Sequence, residues 1–179
     1  MEAQVYEDSP YARKVNQDQD TCVFGMMERG SFINSNGDEE NMTHVHAFVV
    51  PNTNKATLQP YIQQFIEEGS MIITDELNAY NGLEGLGYDH EIVNHGAEEY
   101  ANGNIFTNSI EGFWSHFRRM ISGCYYDVSD EHLQSYIDEA VYRWNTRKMS
   151  ESERFAQMFD KSIGCVRRWS EIKVGLQAA

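Results

Sequence analysis

Residues 107–119 read TNSIEGFWSHFRR, and the spacing of the apolar residues in and just beyond this stretch organises the fold around it. Ile110, Phe113, Trp114, Phe117 and Ile121 fall at i, i+3, i+4, i+7 and i+11, the stripe of a helix that faces a core. Glu111 and Arg118 lie two turns apart and share a neighbouring face. Glu111 then has two readings. With Asn108 three residues upstream it forms a capping-box arrangement, its carboxylate reaching back to the helix start. Alternatively, a carboxylate and a guanidinium are aligned beside an aromatic anchor to carry out chemistry.

The rest of the chain bounds the choice. Its 179 residues suffice for one domain with a real core and a helical appendage. At 41% hydrophobic and 12% aromatic residues it reads as globular. No apolar run reaches membrane-spanning length, and the start MEAQVYEDSP lacks the basic and apolar regions of a secretion signal. Cys22, Cys124 and Cys165 show no CxxC spacing, which suggests neither a zinc site nor a disulfide framework and fits a soluble protein of a reducing compartment. The net charge of −14 is uneven: residues 1–110 hold 18 acids and 4 bases, residues 111–179 hold 10 of each. A polyanion would therefore approach along the C-terminal third, and the acidic part would repel it or hold cations.

In chain order, residues 1–7 read as a strand that ends near Asp8 and a Ser9-Pro10 turn. Residues 22–29 and 43–50 read as two more strands, joined by a polar connection with Asn36-Gly37 as its turn. In the second, Val45, Ala47 and Val49 point one way and His44, His46, Phe48 and Val50 the other. The His-x-His pair is a metal-ligand pattern with no third ligand evident nearby. Thr57 is expected to cap a helix with Leu58, Tyr61, Ile62, Phe65 and Ile66 on its apolar face, ending at Gly69. Residues 71–74 (MIIT) form an apolar run expected of a strand buried on both faces. Residues 78–86 suggest a short helix or turn, and residues 90–95 an edge strand. Ser129 is expected to cap a further helix whose stripe runs from Leu133 to Trp144, and residues 151–179 look helical. This order implies an α/β domain whose mixed sheet pairs its first strands antiparallel and its later ones parallel.

Asp75 sits directly after the apolar strand 71–74, at the C-terminal end where open α/β sheets bind ligands. Thirty-five residues separate it from Glu111. A strand-end aspartate followed at that interval by a helix glutamate suits two-metal phosphodiester chemistry, in which a few carboxylates hold divalent ions about 3.5–4 Å apart. Hard oxygen donors suit Mg2+ or Mn2+.

The segments FGMMERG, HAFVVPNTNKATLQPYI, GSMIITDELNAYNGL, GYDHEIVNH, TNSIEGFWSHFRR and VSDEHLQSYIDEAVYRWNTR follow one another in this order. Over about residues 5–150 the chain resembles the ISXO-like insertion-sequence transposases, relatives of the eukaryotic Merlin elements. The resemblance implies a DDE transposase: a ribonuclease-H-like mixed five-stranded sheet flanked by helices over residues 1–150, with residues 151–179 a C-terminal helical extension. It further implies metal-dependent cleavage and strand transfer on DNA, a homo-oligomer in a synaptic complex, and a nucleoid-associated cytoplasmic or a nuclear setting, according to host.

Carried over residue by residue, Asp75 matches the second aspartate, Glu111 the helix acid, and Asn108 the upstream asparagine that some descriptions count as third. His95 matches the histidine of the VNH segment. Arg118 stands where the family usually has lysine, keeping the charge without the compact ammonium. Phe106 stands where the family commonly has histidine. Asp8 is the first aspartate on the Asp-x-x-Tyr spacing to Tyr11, although the glycine pair that follows in the family is absent; its other reading is a solvated turn acid before Pro10. Asp8, Asp75 and Glu111 would then hold Mg2+ or Mn2+, while Arg119, Arg143, Arg147 and Lys148 would meet DNA phosphates. Family members often carry an N-terminal end-binding module, whereas this chain starts at the catalytic strand. A second reading is therefore a truncated or domesticated remnant that binds DNA or protein without catalysis.

Overall fold

The computed structural model describes residues 2–6, 21–33, 37–93, 108–125 and 128–163, with side chains undescribed at 2–6, 32–33 and 108–109. The chain divides into two compact units, Met1–Trp144 and Asn145–Ala179. The first is mixed α/β. Its strands are β1 (Glu2–Tyr6), β2 (Cys22–Ile33), β3 (Glu39–Val50), β4 (Met71–Thr74) and β5 (Asp89–Ile92), and its helices are α1 (Lys55–Phe65), α2 (Asn108–Met120) and α3 (Asp130–Asn145). The sheet order is β3-β2-β1-β4-β5. β1 pairs antiparallel with β2, and β2 with β3, whereas β1 with β4 and β4 with β5 are parallel. The antiparallel-then-parallel pattern agrees with the sequence reading.

Strand alternation gives the sheet two apolar faces. Phe24, Met26, Val50 and Ile72 pack under α1 with Leu58, Ile62 and Ile66, and with Tyr80, Leu83 and Tyr88 of the following segment. Val23, Met27, Val45 and Ala47 pack on the opposite side against Ile110, Phe113, Trp114, Phe117 and Ile121 of α2, and Leu133, Ile137 and Ala140 of α3. The α2 stripe expected from the spacing is buried throughout. Gly25 explains how so bulky a helix lies flat. A Cβ there would collide with Trp114 Cζ2 and stand 3.3 Å from Ile110 Cδ1, so the glycine is the seat for the indole. Beyond Met120 the helix loosens into a π-helical turn, Ile121–Tyr125.

α3 also closes the outer edge of β3. The Val49 amide donates to Gln134 Oε1 (2.7 Å) and Gln134 Nε2 donates to the Ala47 carbonyl (3.2 Å). One side-chain amide thus occupies groups that an edge strand otherwise offers to another chain.

Three local expectations change. β2 and β3 run well into residues 30–41, expected as a polar connection, because the backbone ladder continues to Ile33↔Glu39 whatever the side chains, helped by a bond from Ser31 Oγ to Glu39 Oε1 (2.6 Å). Thr57 is not the cap of α1: the cap position is Asn54, and the Thr57 hydroxyl donates instead to Asn52 Oδ1 (2.7 Å). α1 ends at Phe65 with Ile66 as its cap, before the Gly69 expected as its end, while residues 78–86, expected as a short helix or turn, form two 3-10 turns, Asn78–Tyr80 and Glu84–Leu86.

In the second unit, α4 (Glu151–Ser162) starts on a full capping box between Ser150 and Glu153. Phe155, Met158, Phe159 and Ile163 are exposed there.

Replacing Gly25 by Ala should destabilise the domain by about 1–3 kcal/mol, the usual cost of overpacking a filled core. In a Trp114→Phe background, which removes the colliding ring, the same change should cost measurably less. Urea melts of the four proteins in this double-mutant cycle check the coupling.

Candidate active site

Asp75 is the residue at which β4 stops. β4 is buried from Ile72 to Thr74 and Asp75 is half-buried. The Leu77 amide donates to Asp75 Oδ1 (3.2 Å), an Asx-type turn that takes the chain off the sheet. The ladder continues alongside it, since the Val93 amide donates to the Thr74 carbonyl (2.8 Å). Parallel pairing of β4 with the central β1 gives their C-terminal ends one common edge of the sheet. Asp8 and His95 lie outside the described residues.

Glu111 is exposed in the first turn of α2, where the helix dipole favours a negative charge. Its position relative to Asp75 follows from register. Ile110 and Trp114 rest over Gly25, Gly25 pairs with Gln4 of β1, and Glu2 of β1 pairs with Ile73 of β4. Two residues further along both parallel strands, Gln4 comes level with Asp75. The start of α2 and the end of β4 therefore share one row across the sheet, about two strand spacings (~10 Å) apart at the level of the strands. Ile72 lies on the α1 side. Alternation assigns Ile73, and Asp75 after it, to the side that carries α2.

Asn108 is the first residue of α2. Arg118 and Arg119 are exposed in its last turn, and the Arg118 carbonyl accepts from Ser122 Oγ (2.9 Å). Arg143 on α3 is already engaged: its Nε and Nη2 both lie 2.8 Å from Glu139 Oε1, and Tyr125 Oη donates to Glu139 Oε2 (2.5 Å). The Tyr125 hydroxyl, and then Arg143, hold the Glu139 carboxyl below its ordinary range against the opposing effect of partial burial. Arg147 and Lys148 are exposed in the second unit.

Among the described residues no three His, Cys, Asp or Glu side chains are grouped to hold a metal ion. Asp75 and Glu111 carry hard oxygen donors, a chemistry that would fit Mg2+ or Mn2+, and the third donor expected from the sequence is Asp8. The His-x-His pair has a different setting. His44 and His46 have ring centroids 4.9 Å apart, on the α1 side of the sheet, and His46 packs on Phe65 at 5.0 Å. Burial, followed by His44, pulls the His46 pKa down. Its visible role is packing.

An α/β domain with one acid at the end of a buried strand, and another opening the helix laid across the same sheet, has the build of a transposase domain. The chain belongs to the ISXO2-like transposase domain family, whose model matches residues 2–145. It is similar to an uncharacterized transposase-like protein of Haemophilus influenzae, 30% identical over 105 residues, covering 59% of this chain and 84% of that relative. Among the described residues no helix is long and apolar enough to cross a membrane.

The sequence reading passed over two features of this site. Gly25 carried a usable signal, since a glycine inside an apolar strand marks a close approach. The bond between Thr74 and His90, described below, carried none, because its partners are sixteen residues apart on neighbouring strands.

The Glu139 group yields a pH dependence with a definite sign. A carboxyl whose folded-state pKa is depressed adds stability above its ordinary value of 4.5 and loses it as pH falls through the lowered folded value. Tyr125→Phe removes the largest cause of the depression. The stability difference between wild type and Tyr125→Phe should be present at neutral pH and shrink below about pH 4, as followed by urea melts across pH.

Proposed function

We propose that residues 1–150 form a DDE-type transposase catalytic domain with a ribonuclease-H-like fold, and that residues 151–179 are its helical extension. The observation that supports the reading is the register: Ile110 and Trp114 rest over Gly25, and Gly25 shares a row of the sheet with Gln4, two residues beyond the pairing of Glu2 with Ile73. In this reading Asp75, Glu111 and Asp8 hold Mg2+ or Mn2+, which when bound activate water or a 3′-hydroxyl and offset charge on the departing oxygen. Water attacks the phosphodiester and a 3′-hydroxyl leaves; that hydroxyl then attacks a phosphodiester of target DNA, whose own 3′-oxygen departs.

The chain's own work is positioning. Asp75 is held by its turn, and Glu111 by the stripe of α2. Asn108 stands one turn before Glu111 and is close enough in sequence to orient it. Arg118, two turns on, offsets charge on the phosphate undergoing attack. Arg119, Arg143, Arg147 and Lys148 meet the DNA backbone, with Arg143 weakened for this by Glu139. DNA is the partner, and joining two element ends calls for a homo-oligomer.

Two assays test the reading. In a Mg2+-dependent plasmid-nicking assay, Asp75→Asn and Glu111→Gln should abolish cleavage, and Arg118→Gln should lower it at unchanged DNA affinity. In a binding assay over a range of salt, Arg147→Gln with Lys148→Gln should flatten the slope of log K against log salt by about 0.9 for every phosphate left without its cation. DNA binding by a wild-type protein that nicks with neither Mg2+ nor Mn2+ would favour the non-catalytic remnant instead.

A further inference from the structure

Thr74 and His90 are buried polar residues for which the reaction outlined above has no use. Thr74 is fully buried, and the His90 imidazole is 2% exposed. The Thr74 hydroxyl donates to the carbonyl oxygen of Asp75 (2.8 Å). A hydroxyl has one proton to give, so the 2.8 Å contact between Thr74 Oγ1 and His90 Nε2 is a bond in which the imidazole N–H donates. On the other side of the ring, Glu84 Oε1 stands 3.4 Å from His90 Nδ1.

These bonds converge on one residue. The Val93 amide fixes the Thr74 carbonyl and hence the peptide plane before Asp75. The Thr74 hydroxyl, itself anchored by His90, fixes the carbonyl of the plane after it. With both flanking planes held, the φ and ψ of Asp75 are set from outside, and the Leu77 amide holds its carboxylate. Packing alone does not call for this, because an apolar residue would fill the His90 position without needing partners.

We propose that Thr74 and His90 are positioning residues that fix the direction of the Asp75 carboxylate for a divalent cation. The inference rests on the metal-site reading under Proposed function, and its test separates the two. Mn2+ affinity of the full chain is measured by the electron paramagnetic resonance of free Mn2+, alongside thermal melts. Thr74→Val, which keeps the volume and removes the hydroxyl, should weaken Mn2+ binding about tenfold or more, as loss of a bond behind a metal ligand does. Thr74→Ser should restore it. His90→Gln, whose amide can still donate to Thr74, should bind more tightly than His90→Leu; that pair carries the comparison if Thr74→Val does not melt cooperatively. A merely structural role would lower the melting temperature and leave the affinity of the folded protein unchanged. Uptake lost in Asp75→Asn but unaltered in folded Thr74→Val and His90→Leu would overturn the positioning role alone. Wild-type protein that takes up no Mn2+ would overturn the metal reading and this inference together.

Discussion

The seating of Trp114 on Gly25 is the contact on which one whole side of the molecule depends. An indole lies against the backbone of the strand next to the sheet centre, and nothing larger than a hydrogen on Gly25 leaves it room. Around it the rings interlock. Phe113 is 4.9 Å from Trp114 and meets Trp144 of α3 edge-on at 5.7 Å, while Phe117 meets Trp114 edge-on at 6.4 Å. Each such buried side chain adds about 1.5–3 kcal/mol of burial, with directional ring contacts on top. The result is a helix whose seat on the sheet is set by interlocked rings. Neighbouring helix residues point about 100° apart, so with Ile110 and Trp114 fixed to the sheet, the direction of Glu111 is fixed as well. Exposure of that carboxylate is a consequence of which neighbours are buried.

Charge imposes the second constraint. Residues 1–110 carry a balance of −14, and at physiological ionic strength such a field reaches about 8 Å. A polyanion meets repulsion over most of this surface unless cations intervene. The neutral C-terminal third is not a uniform basic face either. Arg143 shares Glu139 with the Tyr125 hydroxyl, so part of its charge is already offset by a carboxylate. Arg118 and Arg119 project from the helix that carries Glu111. Their charges are delivered to a place by the helix, which is worth more than their number in a protein of this net charge.

What could be read from the residues alone was whatever is periodic. The α2 stripe, the two faces of β3 and the stripe of α3 follow from spacings of 3.6 or 2, β4 from an unbroken apolar run, and the structure has them. Boundaries were less legible. The β2–β3 hairpin extends through polar residues because ladder bonds are made by backbone, which carries no hydropathy signal. Thr57 had the chemistry of a cap, yet Asn52 three residues before the helix takes its hydroxyl. Of the candidate site, Asp75 and Glu111 were visible as strand end and helix start. Their common row was not, since it rests on register between β2, β1 and β4, which no local pattern specifies.

The supports of Asp75 also show why the sheet continues past β4. β5 is only four residues long, lies at the edge and leaves Ile92 exposed. As a contribution to the core it is slight, and short edge strands are the first parts of a sheet to open. It nevertheless brings His90 under Thr74 and the Val93 amide to the Thr74 carbonyl. Without it, β4 would be an edge strand, the peptide plane before Asp75 would lose its partner, and the Thr74 hydroxyl that holds the plane after it would lose its anchor. Glu84, in the second of the 3-10 turns before β5, stands 3.4 Å from His90 Nδ1. Residues 78–93 thus have two parts: Tyr80, Leu83 and Tyr88 fill the core under α1, and the strand after them holds the end of β4 still.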